Sequence, residues 1–264
     1  MVELTVAQHM AIVNVFSFTM SATGIAAVFF FLKRSEVLPR YRTGVTLLAL
    51  VSLVATYNYL RLFLAFNASF QIENGAVRMT GVPYNDVYRY ADWLLTVPLL
   101  LTSLVMVLDL SLRQARVRSI ILGVLAVEMV VLGYPGQIAT SVEVRWLWWA
   151  ISMVPFLIII QQLYFGLAAA IRAEPPEARR LISLARFVTV LTWSAYPILY
   201  LLPMAFGVGS HSFIATQLGY AVADTVAKAA YGLVLCRVAQ SKTELAASEG
   251  APAASAAPAY KVSA

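Results

Sequence analysis

The chain has 264 residues, 61% of them hydrophobic and 12% charged, with a mean hydropathy of +0.78. That balance excludes a soluble domain of this size and marks an integral membrane protein. Cys236 is the single cysteine, which excludes an intrachain disulfide and a cysteine metal cluster; no metal site is expected.

Apolar runs long enough to cross a bilayer, about 20 residues each, fall at roughly 5–32, 43–67, 87–108, 117–134, 146–171, 183–203 and 212–237. Backbone groups in lipid must be satisfied within the segment, and these runs lack the period-2 alternation of a barrel, so the prediction is an all-α membrane protein, a seven-transmembrane-helix bundle. The first run has no basic leader and no small-residue cleavage site, and reads as a retained helix. Between the second and third runs, QIENGAVRM sets Asn74-Gly75 between two short alternating segments, which predicts a type I′ β-hairpin.

The basic residues outside the helices cluster at one side. Lys33, Arg34, Arg40 and Arg42 follow the first helix, Arg113, Arg116 and Arg118 the third, and Arg172, Arg179, Arg180 and Arg186 the fifth, while Arg237, Lys242 and Lys261 end the chain. The opposite loops offer little beyond Arg78, which predicts an N-terminus outside and a C-terminus in the cytoplasm. The net charge of +6 therefore reports topology and affinity for a lipid leaflet, not nucleic-acid binding. Residues 1–239 are read as one bundle, and 240–264, rich in Ala, Ser and Pro, as a disordered cytoplasmic tail.

Charges occur inside two of the runs. The third, YRYADWLLTVPLLLTS, carries Arg89 and Asp92, and the seventh, YAVADTVAKAAYG, carries Asp224 and Lys228 at i, i+4. A charge at the bilayer centre costs about 2.5–3.5 kcal/mol on insertion scales, so such residues are functional by default and have partners. If the two helices face each other, two cations and two anions form a quartet of zero net charge; its bland reading is a pin between the helices. A buried lysine amine is also the usual nucleophile for a Schiff base with an aldehyde or ketone. In the sixth run, LTWSAYPILY puts Trp193, Tyr196 and Tyr200 on one stripe, with Pro197 able to kink the helix. Trp193 lies too deep for an interfacial belt and favours a flat pocket for a conjugated ligand. Trp146, Trp148 and Trp149 fit either a belt or a pocket wall.

The motifs DTVAK, RYADWLLTVPLLL and WSAYP resemble those of the microbial (type 1) rhodopsins, and the resemblance covers the chain to about residue 238. YNDVYRYADWLLTVPLLL and GYPG (133–136) are more similar to the xanthorhodopsin and proteorhodopsin side of the family than to the archaeal one. The resemblance implies all-trans retinal on Lys228 as a protonated Schiff base. Trp93 and Trp193 would sandwich the polyene, Tyr196, Tyr200 and Leu100 would line it, and Asp92 and Asp224 would serve as counterions with Arg89 below them. Leu100 resembles the residue associated with green absorption.

Three third-helix positions sort the family, here Asp92, Thr96 and Ser103, and they match neither the chloride nor the sodium pumps. The resemblance thus implies a light-driven outward proton pump in a bacterial inner membrane, not an enzyme, with Asp92 as proton acceptor. It also implies homo-oligomers, trimers or pentamers. The alternative is a sensory photoreceptor signalling through a separate partner.

The chain departs from the pattern of the family it resembles at several positions. Ser103 stands where a carboxylate donor is usual, so the returning proton is expected to come directly from the cytoplasm. Asn58 replaces a His that contacts the counterion, and fits either that contact or a hold on a water or carbonyl. Trp149 stands where xanthorhodopsin has a Gly that opens a slot for a carotenoid antenna, so the slot is expected to be closed. Glu128, with no basic residue nearby, fits either a carboxyl near the retinal ring or a simple interhelical hydrogen bond. The archaeal Glu pair for proton release is missing, and His211 reads as a solvated residue.

Overall fold

The computed structural model describes residues 2–207 and 209–250. Helix α1 (Val6–Lys33) opens on a capping box between Thr5 and Gln8, and α2 (Pro39–Ser69) opens on a proline whose missing N–H costs a first turn nothing. Strands β1 (Phe70–Glu73) and β2 (Ala76–Met79) pair antiparallel with Phe70 opposite Met79. Asn74 and Gly75 both have positive φ, 51° and 76°, as the expected type I′ turn requires. Next come α3 (Val87–Met106) and α4 (Leu112–Ile138), the latter opening on a Ser111–Gln114 capping box.

Helix α5 (Val142–Gln161) continues through a π turn (Gln162–Gly166) into α6 (Ala168–Ala173), forming one rod. Helix α7 (Pro176–Phe206) follows, and α8 (Ser210–Thr225) continues through a second π turn (Val226–Ala230) into α9 (Tyr231–Ser248). Among the described residues there are thus seven rods, and the mostly helical, seven-helix fold read from the apolar runs is the one observed. Five rods are apolar and long enough to cross a membrane by length and composition. The third and seventh carry the buried charges.

Sequential helices pack against one another from α1 to α5, and α8 returns to α1, closing the ring. Two apolar clusters fill its inside. One, beside the hairpin, is built on Ile12, Phe16, Tyr59, Leu62, Phe66 and Phe70. The other fills the far half with Phe30, Leu48, Leu104 and Leu235 among others. The charges on α3, α8 and the second π turn lie where the two clusters meet. Outside, large apolar side chains such as Phe18, Ile25, Leu53 and Phe165 are exposed, a surface suited to lipid.

The chain stays ordered past residue 240, where composition predicted a tail. Helix α9 runs on to Ser248; the remainder of the expected tail, 251–264, lies outside the described residues. Lys242 and Thr243 there are held rather than solvated. Lys242 is buried, donates to the Val107 carbonyl (2.9 Å) and is ion-paired with Glu174 Oε2 (2.5 Å) and Asp109 Oδ2 (3.0 Å), while Thr243 Oγ1 accepts the Leu38 N–H (3.1 Å). The end of α9 thereby ties the α1–α2 turn, the end of α3 and the α6–α7 link. Removing one partner of a buried pair strands the other, at a cost of about 3–5 kcal/mol. Lys242→Met should therefore lower the thermal unfolding midpoint of the detergent-solubilised protein; an unchanged midpoint would show that the cluster adds no stability.

Candidate functional site

The inward face of α3 presents Arg89, Asp92, Thr96 and Ser103, all buried. Their spacings of three, four and seven keep them near one side of the helix. Helix α8 does the same with Gln217, Tyr220 and Asp224. The π turn after it carries Lys228, only 2% exposed. Such wider turns recur at functional sites in helices.

The Lys228 ammonium bridges two carboxylates, donating to Asp224 Oδ1 at 2.7 Å and to Asp92 Oδ2. The two acids are not equivalent. Asp224 also accepts from Tyr59 OH on Oδ2 (2.6 Å), and from Tyr196 OH (2.8 Å) and Trp93 Nε1 (3.2 Å) on Oδ1. Asp92 is backed by Thr96, whose hydroxyl donates to the Asp92 carbonyl at 2.8 Å. Among the described residues no protein donor reaches Asp92 Oδ1.

The quartet needs one correction. Asp92, Asp224 and Lys228 touch, but Arg89 is ion-paired to neither acid. Its Nη2 donates to Gln217 Oε1 (2.6 Å) and its Nη1 to Tyr59 OH (3.3 Å), and its guanidinium lies over the rings of Phe16 and Tyr220 at 5.4 and 5.3 Å. Neutral acceptors and ring faces take up the planar fork. Its link to the acids runs through Tyr59.

Beyond the ammonium opens an apolar cavity. Trp93, Leu100, Trp149, Trp193, Tyr196, Pro197 and Tyr200, singled out from the sequence, all line it together with Asp224 and Lys228. Tyr90, Met129, Met153 and Phe156, not singled out from the sequence, also form part of the wall. Trp93 stands edge-on to Tyr196 (centroids 5.0 Å apart, 82°), and the Trp149 indole donates to the Pro197 carbonyl at 3.2 Å.

Other expected residues fall elsewhere. Ser103 is buried off the cavity, donating to the Leu100 carbonyl at 2.7 Å, and Tyr231 OH reaches the same carbonyl at 3.3 Å. Of the two readings of Asn58, the carbonyl holds: its amide donates to Val54 at 3.0 Å. Glu128 is not beside the cavity but exposed on the outer face of α4, while the adjoining Met129 and Val130 face inward. His211 is exposed.

Tyr59 and Gln217 were missed, though both had a signal. Tyr59 adjoins Asn58 in TYNYLRLF, and Gln217 precedes Asp224 by seven residues on one helix face. Chemically, a buried primary amine at the end of a pocket walled by indole and phenol rings fits a long apolar, conjugated carbonyl compound. The two carboxylates fit a positive charge kept at Nζ.

Comparison with known proteins agrees with this chemistry. Residues 10–242 match the bacteriorhodopsin-like protein family. The chain is 30% identical over 223 residues to bacteriorhodopsin of Halobacterium salinarum, covering 81% of this chain and 78% of that protein. It is 28% identical to a green-light absorbing proteorhodopsin of a gamma-proteobacterium, covering 81% and 80%. Among solved structures, xanthorhodopsin, described as a light-driven ion pump with dual chromophore, superposes with a TM-score of 0.88 at 38% identity, covering 94% of this chain and 98% of that one. A thermophilic rhodopsin superposes with a TM-score of 0.90 at 39% identity, covering 93% and 98%.

Proposed function

The chain belongs to the bacteriorhodopsin-like family, and from that premise we propose that it is a light-driven outward proton pump carrying all-trans retinal on Lys228, with its N-terminus outside the cell. The observation that carries the reading is the unequal pair of carboxylates around one buried amine. Bound there, retinal would supply light absorption and an isomerisation that shifts the Nζ proton relative to its partners.

This chain's residues supply the rest. Trp93, Trp193, Tyr196, Tyr200 and Leu100 would hold the polyene and keep water from it. Asp224, which accepts from four donors, would remain a fixed anion, because hydrogen bonds donated to a carboxylate favour its charged form. Asp92 has one oxygen without a protein donor and fewer donors holding its charged form, so it is the better placed of the two to take the Nζ proton. Arg89, joined to Asp224 through Tyr59, would stabilise the negative side of the cluster and lead towards the hairpin end. Trp149, on the cavity wall, would fill the position of the antenna slot, in keeping with a pump without a carotenoid.

The return of the proton would bypass Ser103. Its hydroxyl is tied to the Leu100 carbonyl and has no proton to give near neutral pH. Dark-state absorbance after a flash should therefore recover in proportion to the proton concentration on the cytoplasmic side, slowing steadily as pH rises. Ser103→Asp or Ser103→Glu should flatten that dependence by placing a carboxyl in the path. A wild-type recovery independent of pH from about 6 to 9 would sink the direct route. Transport itself is tested by the light-induced pH change outside intact cells.

A further inference from the structure

The corner between α1 and α2 carries four cations, Lys33, Arg34, Arg40 and Arg42. Two of them have acids of their own: Lys33 Nζ lies 2.7 Å from Glu36 Oε2, and Arg40 Nη1 lies 3.8 Å from Asp109 Oδ1. Among the described residues neither Arg34 nor Arg42 is paired with a carboxylate. Both are nevertheless held. Arg42 Nε donates to the Val37 carbonyl at 3.2 Å, which leaves its two terminal nitrogens for another acceptor, and the Arg34 guanidinium lies over the Phe31 ring at 5.4 Å.

The two arginines share a hollow of about 270 Å³, whose other walls are Phe31, Leu32 and Ser35. Phe31 and Leu32 are themselves 58% and 62% exposed. Leu32 ends an exposed apolar ridge on α1 made of Phe18, Ile25, Val28 and Leu32, whose spacings of seven, three and four keep them on one face. A molecule in the hollow therefore meets two guanidinium groups and the end of a lipid-facing ridge. Arginines without an acid are ordinary at helix ends, and Arg113 and Arg116 on the first turns of α4 are exposed and equally without one among the described residues. Those two line neither this hollow nor the cavity at Lys228.

We propose that the α1–α2 corner binds a phospholipid of net negative charge, such as phosphatidylglycerol, with its phosphate between Arg34 and Arg42 and an acyl chain along the α1 ridge. Guanidinium forks match phosphate oxygens two at a time, and basic pockets at helix ends take anionic headgroups. A zwitterionic headgroup fits less well, because its ammonium would enter a corner where cations already exceed acids. Neither retinal, light nor the direction of transport enters this inference.

Lipid retention tests it. The full chain, delipidated and held on an affinity resin in a neutral detergent, is exposed to mixed micelles of labelled phosphatidylglycerol or labelled phosphatidylcholine, and bound lipid is counted after washing. About one phosphatidylglycerol per chain should be retained, with an affinity about tenfold or more above that for phosphatidylcholine. Arg34→Gln with Arg42→Gln should lose that preference, whereas Arg113→Gln with Arg116→Gln, which removes the same charge from α4, should keep it. A further arm uses the wild type alone and so needs no variant to fold: excess inorganic phosphate should leave the lipid bound, since phosphate gains nothing from the apolar ridge. Equal retention of the two lipids, or equal loss of the preference in both double variants, would overturn the proposal and leave only a general attraction of basic loops for anionic lipid. Displacement by inorganic phosphate would overturn it in favour of a site for a soluble anion. Because no chromophore or transport is measured, such a failure is distinct from failure of the pump reading.

Discussion

Lys228→Ala is expected to abolish the visible absorption band that the expressed protein acquires with retinal. Among the described residues, Nζ of Lys228 is the one buried primary amine at the cavity, 2% exposed and held between two carboxylates. Lys242, also buried, is committed to Glu174 and Asp109 at the far end of the bundle. The substitution removes the nucleophile while leaving the aromatic walls intact, so free retinal could still enter but would absorb as a free aldehyde. The spectrum of the purified variant with added retinal decides the point. The effect expected is complete loss of the red-shifted band; a band that survives would mean that the chromophore is attached elsewhere or not covalently, and would remove the premise of the mechanism.

Asp92→Asn should separate pigment from pump. Asn keeps the shape and can still accept a hydrogen bond from Nζ, and Asp224 with its three further donors remains as counter-charge. A visible band should therefore form. What the variant lacks is a carboxylate oxygen able to take the proton, and loss of a positioned base costs about 10²–10⁴ in rate. Light-driven transport by reconstituted vesicles is expected to fall by at least about a hundredfold. Transport near the wild-type rate would exclude Asp92 as acceptor and transfer that role to Asp224, against the hydrogen-bond inventory around it.

The number of helices, the hairpin and the lysine with its two acids were legible in the sequence because each rests on local chemistry: run length, an Asn-Gly turn, and charges where lipid forbids them. The cavity walls were legible for a similar reason, since deep Trp and Tyr residues have little other use. Other features depend on where elements meet. Arg89 chose Gln217 and Tyr59 over the aspartates, a preference that only the packing of α2, α3 and α8 determines. The inward face of α4 could not be read either. LAVEMVVLG is apolar nearly all round, as suits a helix in lipid, and so carries no moment to show that Glu128 points outward. SKTEL looked like tail because Lys242 and Thr243 find partners in distant links, after α3, between α6 and α7 and between α1 and α2.

The most direct test of outward pumping is the pH of a weakly buffered suspension of intact cells expressing the protein with retinal. Illumination should acidify the medium, the acidification should vanish with a protonophore, and the dark pH should return when the light is removed. A medium that stays constant under light, or turns alkaline in a way the protonophore suppresses, would contradict the account.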